Sequence, residues 1–185
     1  MRLFFAVPIS ETVRGIVSRS IEAFPIADPP WRWIRPENYH ITLKFLGETD
    51  EELLERLLEI GRETAAATSP FELSFGRFDT FPSISRPRIL LFHAESGAAR
   101  LAQLAGLLEE KLESLGFERE RRRFRTHLTL ARVKRPIGRE ALEALEKVPS
   151  LPLEARQEVG RIVLVRSVLS REGAKYEEAG SFGLK

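Results

Sequence analysis

The sequence predicts a fold of mixed strands and helices built from two copies of one β-α-β-α-β unit. Three observations carry this expectation. The stretch His127-Leu128-Thr129-Leu130-Ala131-Arg132 nearly repeats His40-Ile41-Thr42-Leu43-Lys44-Phe45. The offset of 87 positions between them also relates Phe5 to Phe92 and Ser10 to Gly97. Apolar residues at strand spacing and at helix spacing follow one another in a similar order through both halves. The chain has three histidines and eight threonines, so two histidines would each acquire a Thr two residues on by chance only ~0.5% of the time. The expected organisation is one domain over residues 1–185, with pseudo-symmetric lobes at roughly 1–87 and 88–185 and terminal strands free to exchange between them.

In order, residues 3–7 form an apolar run closed by Pro8, a buried strand. Ser10 then caps a helix whose inner face is Val13, Ile16, Val17, Ile21 and Phe24. A loop over 25–30 leads to a strand over 31–35, and Pro36-Glu37-Asn38 is turn chemistry before a strand at 40–46 that Gly47 ends. Thr49-Asp50-Glu51-Glu52 has the form of a capping box, and Leu53, Leu54, Leu57 and Leu58 continue it as an amphipathic helix to about residue 67. Phe71, Leu73 and Phe75 alternate as in a strand. In the second half, a strand over 88–94 precedes a helix opened by Gly97 and carrying Leu101, Leu104, Ala105, Leu108, Leu112 and Leu115, with Gly116 in a C-cap position. After the second His-x-Thr strand come a short helix over 138–147, strands over 151–155 and 162–169, a turn over 170–173 and a last strand over 176–184. The 162–169 strand is apolar on both faces.

Composition narrows the class of protein. At 185 residues, 43% hydrophobic and 30% charged, the chain is an ordinary globular domain. Without cysteine it has no thiolate nucleophile, thiolate metal site or disulfide. No apolar run approaches the length of a membrane span, and the amino terminus enters a strand pattern at once, so a monomeric cytoplasmic protein is expected. The net charge is only +2, yet Arg119, Arg121, Arg122, Arg123 and Arg125 gather beside the second repeat. Anionic substrates are therefore in view, with a solvated basic loop as the plainer reading.

The repeated stretch carries chemistry. In a strand, His and Thr two residues apart share a face while the Ile or Leu between them turns to the core. Two such strands about a pseudo-two-fold axis place two imidazoles around one reacting atom. With an ordinary pKa of about 6.5, one can act as general base while the other acts as general acid. That suits in-line displacement at phosphorus, with each Thr hydroxyl donating to a non-bridging oxygen. The scheme calls for no metal or cofactor, and two histidines without a third or a carboxylate cluster make a poor zinc set. The plainer alternative is a pair of structural histidines. The remaining one, His93, aligns with Ala6 at the 87 offset, lacks the following Thr, and is expected to be structural at a strand end. Lys44 shares the face of His40 by parity, as phosphate contact or solvated side chain, and Trp31 and Trp33 are expected in the core or at a rim.

The His40-x-Thr42-Leu-Lys-Phe-Leu-Gly and His127-x-Thr129-Leu-Ala-Arg signatures resemble those of the two-histidine phosphoesterase superfamily. The specific likeness is to its RNA 2',3'-cyclic phosphodiesterase (2'-5' RNA ligase, LigT-like) branch. It extends to Arg2-Leu3-Phe4-Phe5-Ala6-Val7-Pro8, to Arg32-Trp33 before Pro36-Glu37-Asn38, to Phe81-Pro82 before Arg86-Pro87-Arg88, and to the region from Arg166-Ser167 to Tyr176. It departs at Leu91-Phe92, where many members carry Trp.

The resemblance implies a bilobal α+β fold with antiparallel sheets lining a central cleft and helices outside. It implies metal-independent hydrolysis of an RNA 2',3'-cyclic phosphate end to a 2'-phosphomonoester, and reversible 2'-5' joining of RNA. By the same resemblance His40 is the acid, His127 the base, and Thr42, Thr129 and Arg132 hold the phosphate. Arg132 lies five residues from His127, which in an ideal strand is the opposite face, so the assignment needs a bulge, a strand end or the reach of the long side chain. The alternatives are an RNA-end-binding module without turnover, or an esterase acting on small cyclic phosphates or 2'-5' linked oligonucleotides.

Overall fold

The computed structural model describes residues 1–24, 26, 28–170 and 173–185, and the side chains of 169, 170 and 173 are not considered. Residues 171–172 of the expected 170–173 turn, and residues 25 and 27 of the expected 25–30 loop, lie outside the described residues. Those described form nine strands and four α-helices. The first sheet contains β1 (Arg2–Pro8), β3 (His40–Glu48), β8 (Arg161–Ser170) and β9 (Gly173–Gly183), in the order β3-β1-β8-β9. The second contains β2 (Trp31–Trp33), β4 (Phe71–Phe81), β5 (Ile89–Ala94), β6 (His127–Val133) and β7 (Arg156–Val159), in the order β2-β6-β5-β4-β7. Every neighbouring pair is antiparallel, so the fold is α+β with each sheet drawing strands from both halves of the sequence.

The helices are α1 (Glu11–Glu22), α2 (Leu54–Ala66), α3 (Ala98–Glu113) and α4 (Arg139–Glu146). Helix α2 packs on β8 and β9, α3 on β3 and α2, and α1 beside β7. The helix-spaced leucines of α3 (Leu101, Leu104, Leu108 and Leu112) are all buried in one core with Leu3, Phe5 and Val7 of β1 and Leu90 and Phe92 of β5. The intervening residues of β1, Phe4 and Ala6, meet Val163 and Val165 on the other face of the first sheet, partly covered by Tyr176. β1 and β8 are therefore buried on both faces, which is why both read as unbroken apolar runs. Among the described residues no helix is long and apolar enough to cross a membrane.

Local chemistry explains the helix ends and corrects three expectations. Ser10 accepts the Val13 amide as the N-cap of α1. Gly97 starts α3 with φ of +75°, where a Cβ would strike the Glu72 carbonyl. The capping box before α2 is not formed. Asp50 instead starts a 3-10 turn over Glu51–Leu53, and the Thr49 hydroxyl donates to the Gly47 carbonyl. No strand occupies 151–155, because Pro152 has no N–H and its carbonyl closes a turn to the Ala155 amide; pairing begins at Arg156. The strand that starts at Phe71 runs on to Phe81, past a register slip between Phe75 and Phe78.

The duplication is real in the His-x-Thr strands but the single offset of 87 is not general. β1 and β3 slip register at Leu43, and β5 and β6 slip at Leu130, so each strand has a one-residue bulge at the residue after its Thr. These two bulges are 87 apart. Their partner strands, however, place Pro8 opposite His40 and His93 opposite His127, an offset of 85. His93 thus corresponds to Pro8 and not to Ala6. A two-residue slip leaves every side chain on its own face, so apolar alternation cannot reveal it.

The bulge also redirects Lys44. Parity from His40 would turn it to the cleft, but the extra residue sends it to the helix side, where its Nζ donates to Glu109 Oε2 at 2.7 Å and to the Glu118 carbonyl at 2.6 Å. Both side chains are largely buried. Lys44→Ala is expected to cost about 2–4 kcal/mol of stability by leaving the Glu109 carboxylate without its cation, read as a lower urea midpoint at unchanged slope. An unshifted midpoint would mean the pair holds nothing together.

Candidate active site

The two His-x-Thr strands meet where the sheets do, since β3 is an edge of the first sheet and packs against β6 of the second. In each strand the Ile or Leu between His and Thr is buried in the core, while His and Thr are half-buried on the opposite face. Past each bulge the faces exchange. In β3, Leu43 and Lys44 are both buried and Phe45 is exposed; in β6, Leu130 and Ala131 are buried and Arg132 is exposed. Arg132 therefore comes round to the face of His127 and Thr129, which the ideal-strand count denied it. At the matching place in β3, Phe45 rests on Phe4, with ring centroids 5.5 Å apart.

Each imidazole is fixed by a backbone carbonyl two residues earlier. His40 Nδ1–H donates to the Asn38 carbonyl at 2.7 Å, and His127 Nδ1–H donates to the Arg125 carbonyl at 2.7 Å. A carbonyl only accepts, so the proton of each neutral ring is on Nδ1 and Nε2 carries the free lone pair. The Thr42 hydroxyl lies 3.1 Å from His40 Nε2 and donates to it when the ring is neutral. Phe4 packs on the His40 ring at 4.9 Å and Tyr176 stands edge-on to it at 5.2 Å. The Asn38 side chain ties this corner to β9 by donating to the Ala174 carbonyl.

The electrostatics are similar for both rings. Burial pushes the His40 imidazole below its ordinary pKa, against the Asn38 hydrogen bond, and the positive charges of Arg132 and His127 act the same way. Burial likewise lowers His127, opposed by the Arg125 carbonyl and reinforced by His93 and Arg132. One charge network thus joins His40, His127 and Arg132.

Beside it a cavity of about 170 Å³ is lined by Arg32, Arg35, Arg132 and Lys134, with Trp33 and Tyr176. Arg32 stands directly opposite Arg132 in the β2–β6 pair. Trp31 is buried and packs edge-on against Trp33 and Phe24. Arg119 pairs with Glu113 at 3.0 Å, while Arg121, Arg122, Arg123 and Arg125 are exposed and Phe124 packs on the core. Among the described residues, no three His, Cys, Asp or Glu side chains group closely enough to hold a metal ion.

The carbonyls of Asn38 and Arg125 orient the rings but carry no side-chain signature, so nothing in the sequence marks them. Tyr176 and Phe4 are distant in sequence from His40; Phe4 meets it through the β1–β3 pairing and Tyr176 through β1–β8–β9. Asp79 and His93 form a further pair beside His127, with His93 Nε2 2.9 Å from Asp79 Oδ2.

The sequence profile of the 2'-5' RNA ligase superfamily matches residues 28–171. A protein of Archaeoglobus fulgidus named RNA 2',3'-cyclic phosphodiesterase is 34% identical, covering 98% of this chain and 99% of its own length. One of Methanothermobacter thermautotrophicus with the same name is 31% identical, covering 100% and 99%. Among solved structures, TT0787 of Thermus thermophilus superposes with a TM-score of 0.83 at 32% identity, covering 100% of this chain and 98% of that one. LigT of E. coli complexed with 3'-AMP shares the fold, with a TM-score of 0.82 at 23% identity over 100% and 98% of the two chains. With the profile matched over most of its length and relatives above 30% identity end to end, the chain belongs to the 2'-5' RNA ligase superfamily.

Proposed function

We propose that the protein hydrolyses RNA 2',3'-cyclic phosphate ends to 2'-phosphomonoesters by acid-base catalysis between His40 and His127, without a metal or other cofactor. The observation that carries the reading is the pair of bulged His-x-Thr strands, each with its Nδ1 fixed by a carbonyl so that proton exchange falls to Nε2, which in His40 is hydrogen-bonded to the Thr42 hydroxyl. The name borne by the full-length relatives supports the substrate class. In this reading His127 Nε2 takes a proton from water as its oxygen attacks phosphorus. His40, protonated, gives its Nε2 proton to the departing 3'-oxygen, leaving a 3'-hydroxyl and a 2'-phosphate. Thr42 and Thr129 donate to the non-bridging oxygens, and Arg132 neutralises their charge. If the 5'-hydroxyl of a second RNA replaces water, the same proton transfers form a 2'-5' linkage.

RNA ending in a 2',3'-cyclic phosphate, incubated with the protein in EDTA, is expected to yield the 2'-phosphate. Cyclic ends recovered intact, or a 3'-phosphate product, would refute the reading. His40→Ala and His127→Ala are each expected to slow single-turnover cleavage by about 10² to 10⁴-fold. The double variant should be little worse than either alone, because the two act as a unit.

The pH dependence has a definite direction. The base works only when unprotonated, so activity falls as pH drops through its pKa. The acid works only when protonated, so activity falls as pH rises through its pKa. Both imidazoles are pushed below the ordinary value. The bell-shaped profile of kcat/KM should therefore be centred on the acid side of about 6.5, with its two limbs belonging to the pair. A centre well above that value would contradict the burial of the rings.

A further inference from the structure

The two halves of the site match closely along the His-x-Thr strands and differ at the residue standing opposite each histidine. Opposite His40 is Pro8, which has neither charge nor ring nitrogen; opposite His127 is His93. Directly opposed residues of an antiparallel pair project from the same face, with Cβ atoms about 4.5–5.5 Å apart. His93 is thus the nearest neighbour of His127 across the sheet, on the face where the reaction is placed, and its side chain is 28% exposed. Its Nε2 lies 2.9 Å from Asp79 Oδ2 on the next strand. The strand order β6-β5-β4 puts that carboxylate on the far side of His93 from His127. When His93 is protonated the pair is a dipole whose positive end points at His127.

We propose that His93, held by Asp79, is a positioning residue that disfavours protonation of His127 and so helps to make the two imidazoles chemically unequal. The inference rests on the reading of His127 as the base, and it deepens that reading by assigning the source of the asymmetry.

The surrounding charges agree with it. On β4, Asp79 is already engaged: its Oδ1 accepts the Thr80 amide and Arg77 stands 3.5 Å from its Oδ2. Burial raises its carboxyl, yet the His93 hydrogen bond, the Thr80 amide and Arg77 together hold it below the usual range, so it stays an anion facing His93. Just past the end of β5, the Glu95 carboxylate lies over Gly76 of β4. Near His127 stand Arg132 on its own strand and His40 on β3, and Arg32 of β2 lies opposite Arg132. The Arg125 carbonyl takes its Nδ1–H. His93 acts on His127 in the same direction as Arg132. A proton on His127 would thus meet the charge of Arg132 and, whenever His93 carries a proton, a second positive charge beside it; His93 has no counterpart beside His40.

The chain has only three histidines, so ring-proton NMR can follow each through a pH titration and assign it by substitution. In His93→Gln the His127 titration is expected to move up by on the order of half a pH unit or more, the size expected for losing one cation at this separation in a partly hydrated site. His40 should move much less. His93→Lys, which fixes a cation at that position, should leave His127 at or below its wild-type value. In parallel, the acidic limb of kcat/KM should rise in His93→Gln and not in His93→Lys.

An unmoved His127 titration in His93→Gln overturns the proposal, including the case where only thermal stability falls. If His93→Gln does not fold, a rise of His127 in His93→Lys overturns it equally. The ring titrations do not depend on any substrate. A protein inactive on cyclic-phosphate RNA but showing the shift would refute the proposed activity and leave this inference standing.

Discussion

Each catalytic-type strand depends on one inserted residue. Leu43 and Leu130 lie at the register slips that follow each Thr, and without them strand alternation would continue from His through the residue five beyond it; β3 slips once more, farther on, at Leu46. An unbroken β3 would turn Lys44 to the cleft and Phe45 to the core, and an unbroken β6 would bury the Arg132 guanidinium. With the bulge, two successive residues enter the core, and His, Thr and the residue five beyond His share a face. The same constraint frees Lys44 to bind Glu109 and the Glu118 carbonyl. Glu109 in turn accepts the Glu120 amide. The loop so anchored leads to Arg125, whose carbonyl orients His127. The first motif therefore holds the segment that delivers the second.

The symmetry of the two motifs is a symmetry of backbone and of the groups nearest the reaction. Around it, the chain has diverged in ways that bear on chemistry. An aromatic residue, Phe45, occupies the place that Arg132 has in the other half, and Pro8 occupies the place of His93. Aromatic rings crowd His40, whereas Arg132 on the same strand and His93 opposite stand by His127. A duplicated frame suits a reaction whose entering and leaving oxygens lie on opposite sides of one phosphorus. Unequal surroundings suit the fact that one of those oxygens loses a proton and the other gains one.

Much of the fold was legible because burial patterns write directly into sequence. The leucines of α3, the doubly buried runs of β1 and β8, and the His-x-Thr alternation all followed from period alone. What sequence could not supply depended on pairing. The two-residue difference between the partner strands preserves every face, so His93 aligned with Ala6 until its hydrogen-bonded neighbour was known. The parity of Lys44 failed, and that of Arg132 was left open, for one reason: a bulge has no residue signature when the extra position is a leucine. Pro152 defeated the strand expected at 151–155: Leu151 and Ala155 are buried and each makes one backbone bond to β4, but the turn that Pro152 closes to Ala155 interrupts the ladder between them. The phosphate contact proposed for Arg132 came from the resemblance to the two-histidine phosphoesterases, against ideal-strand parity.

The order of strands in the first sheet has a consequence for how the chain reaches its final state. β1 emerges first during synthesis and can pair early with β3, but its other edge waits for β8, more than 150 residues later. Until then Phe4 and Ala6 lack the Val163 and Val165 that cover them, and Tyr176 has not arrived beside His40. The last strands to be made thus close the oldest edge. A nascent chain carries both histidines for some time before it has a site, and an aggregation-prone strand edge is sealed by the same step that completes it.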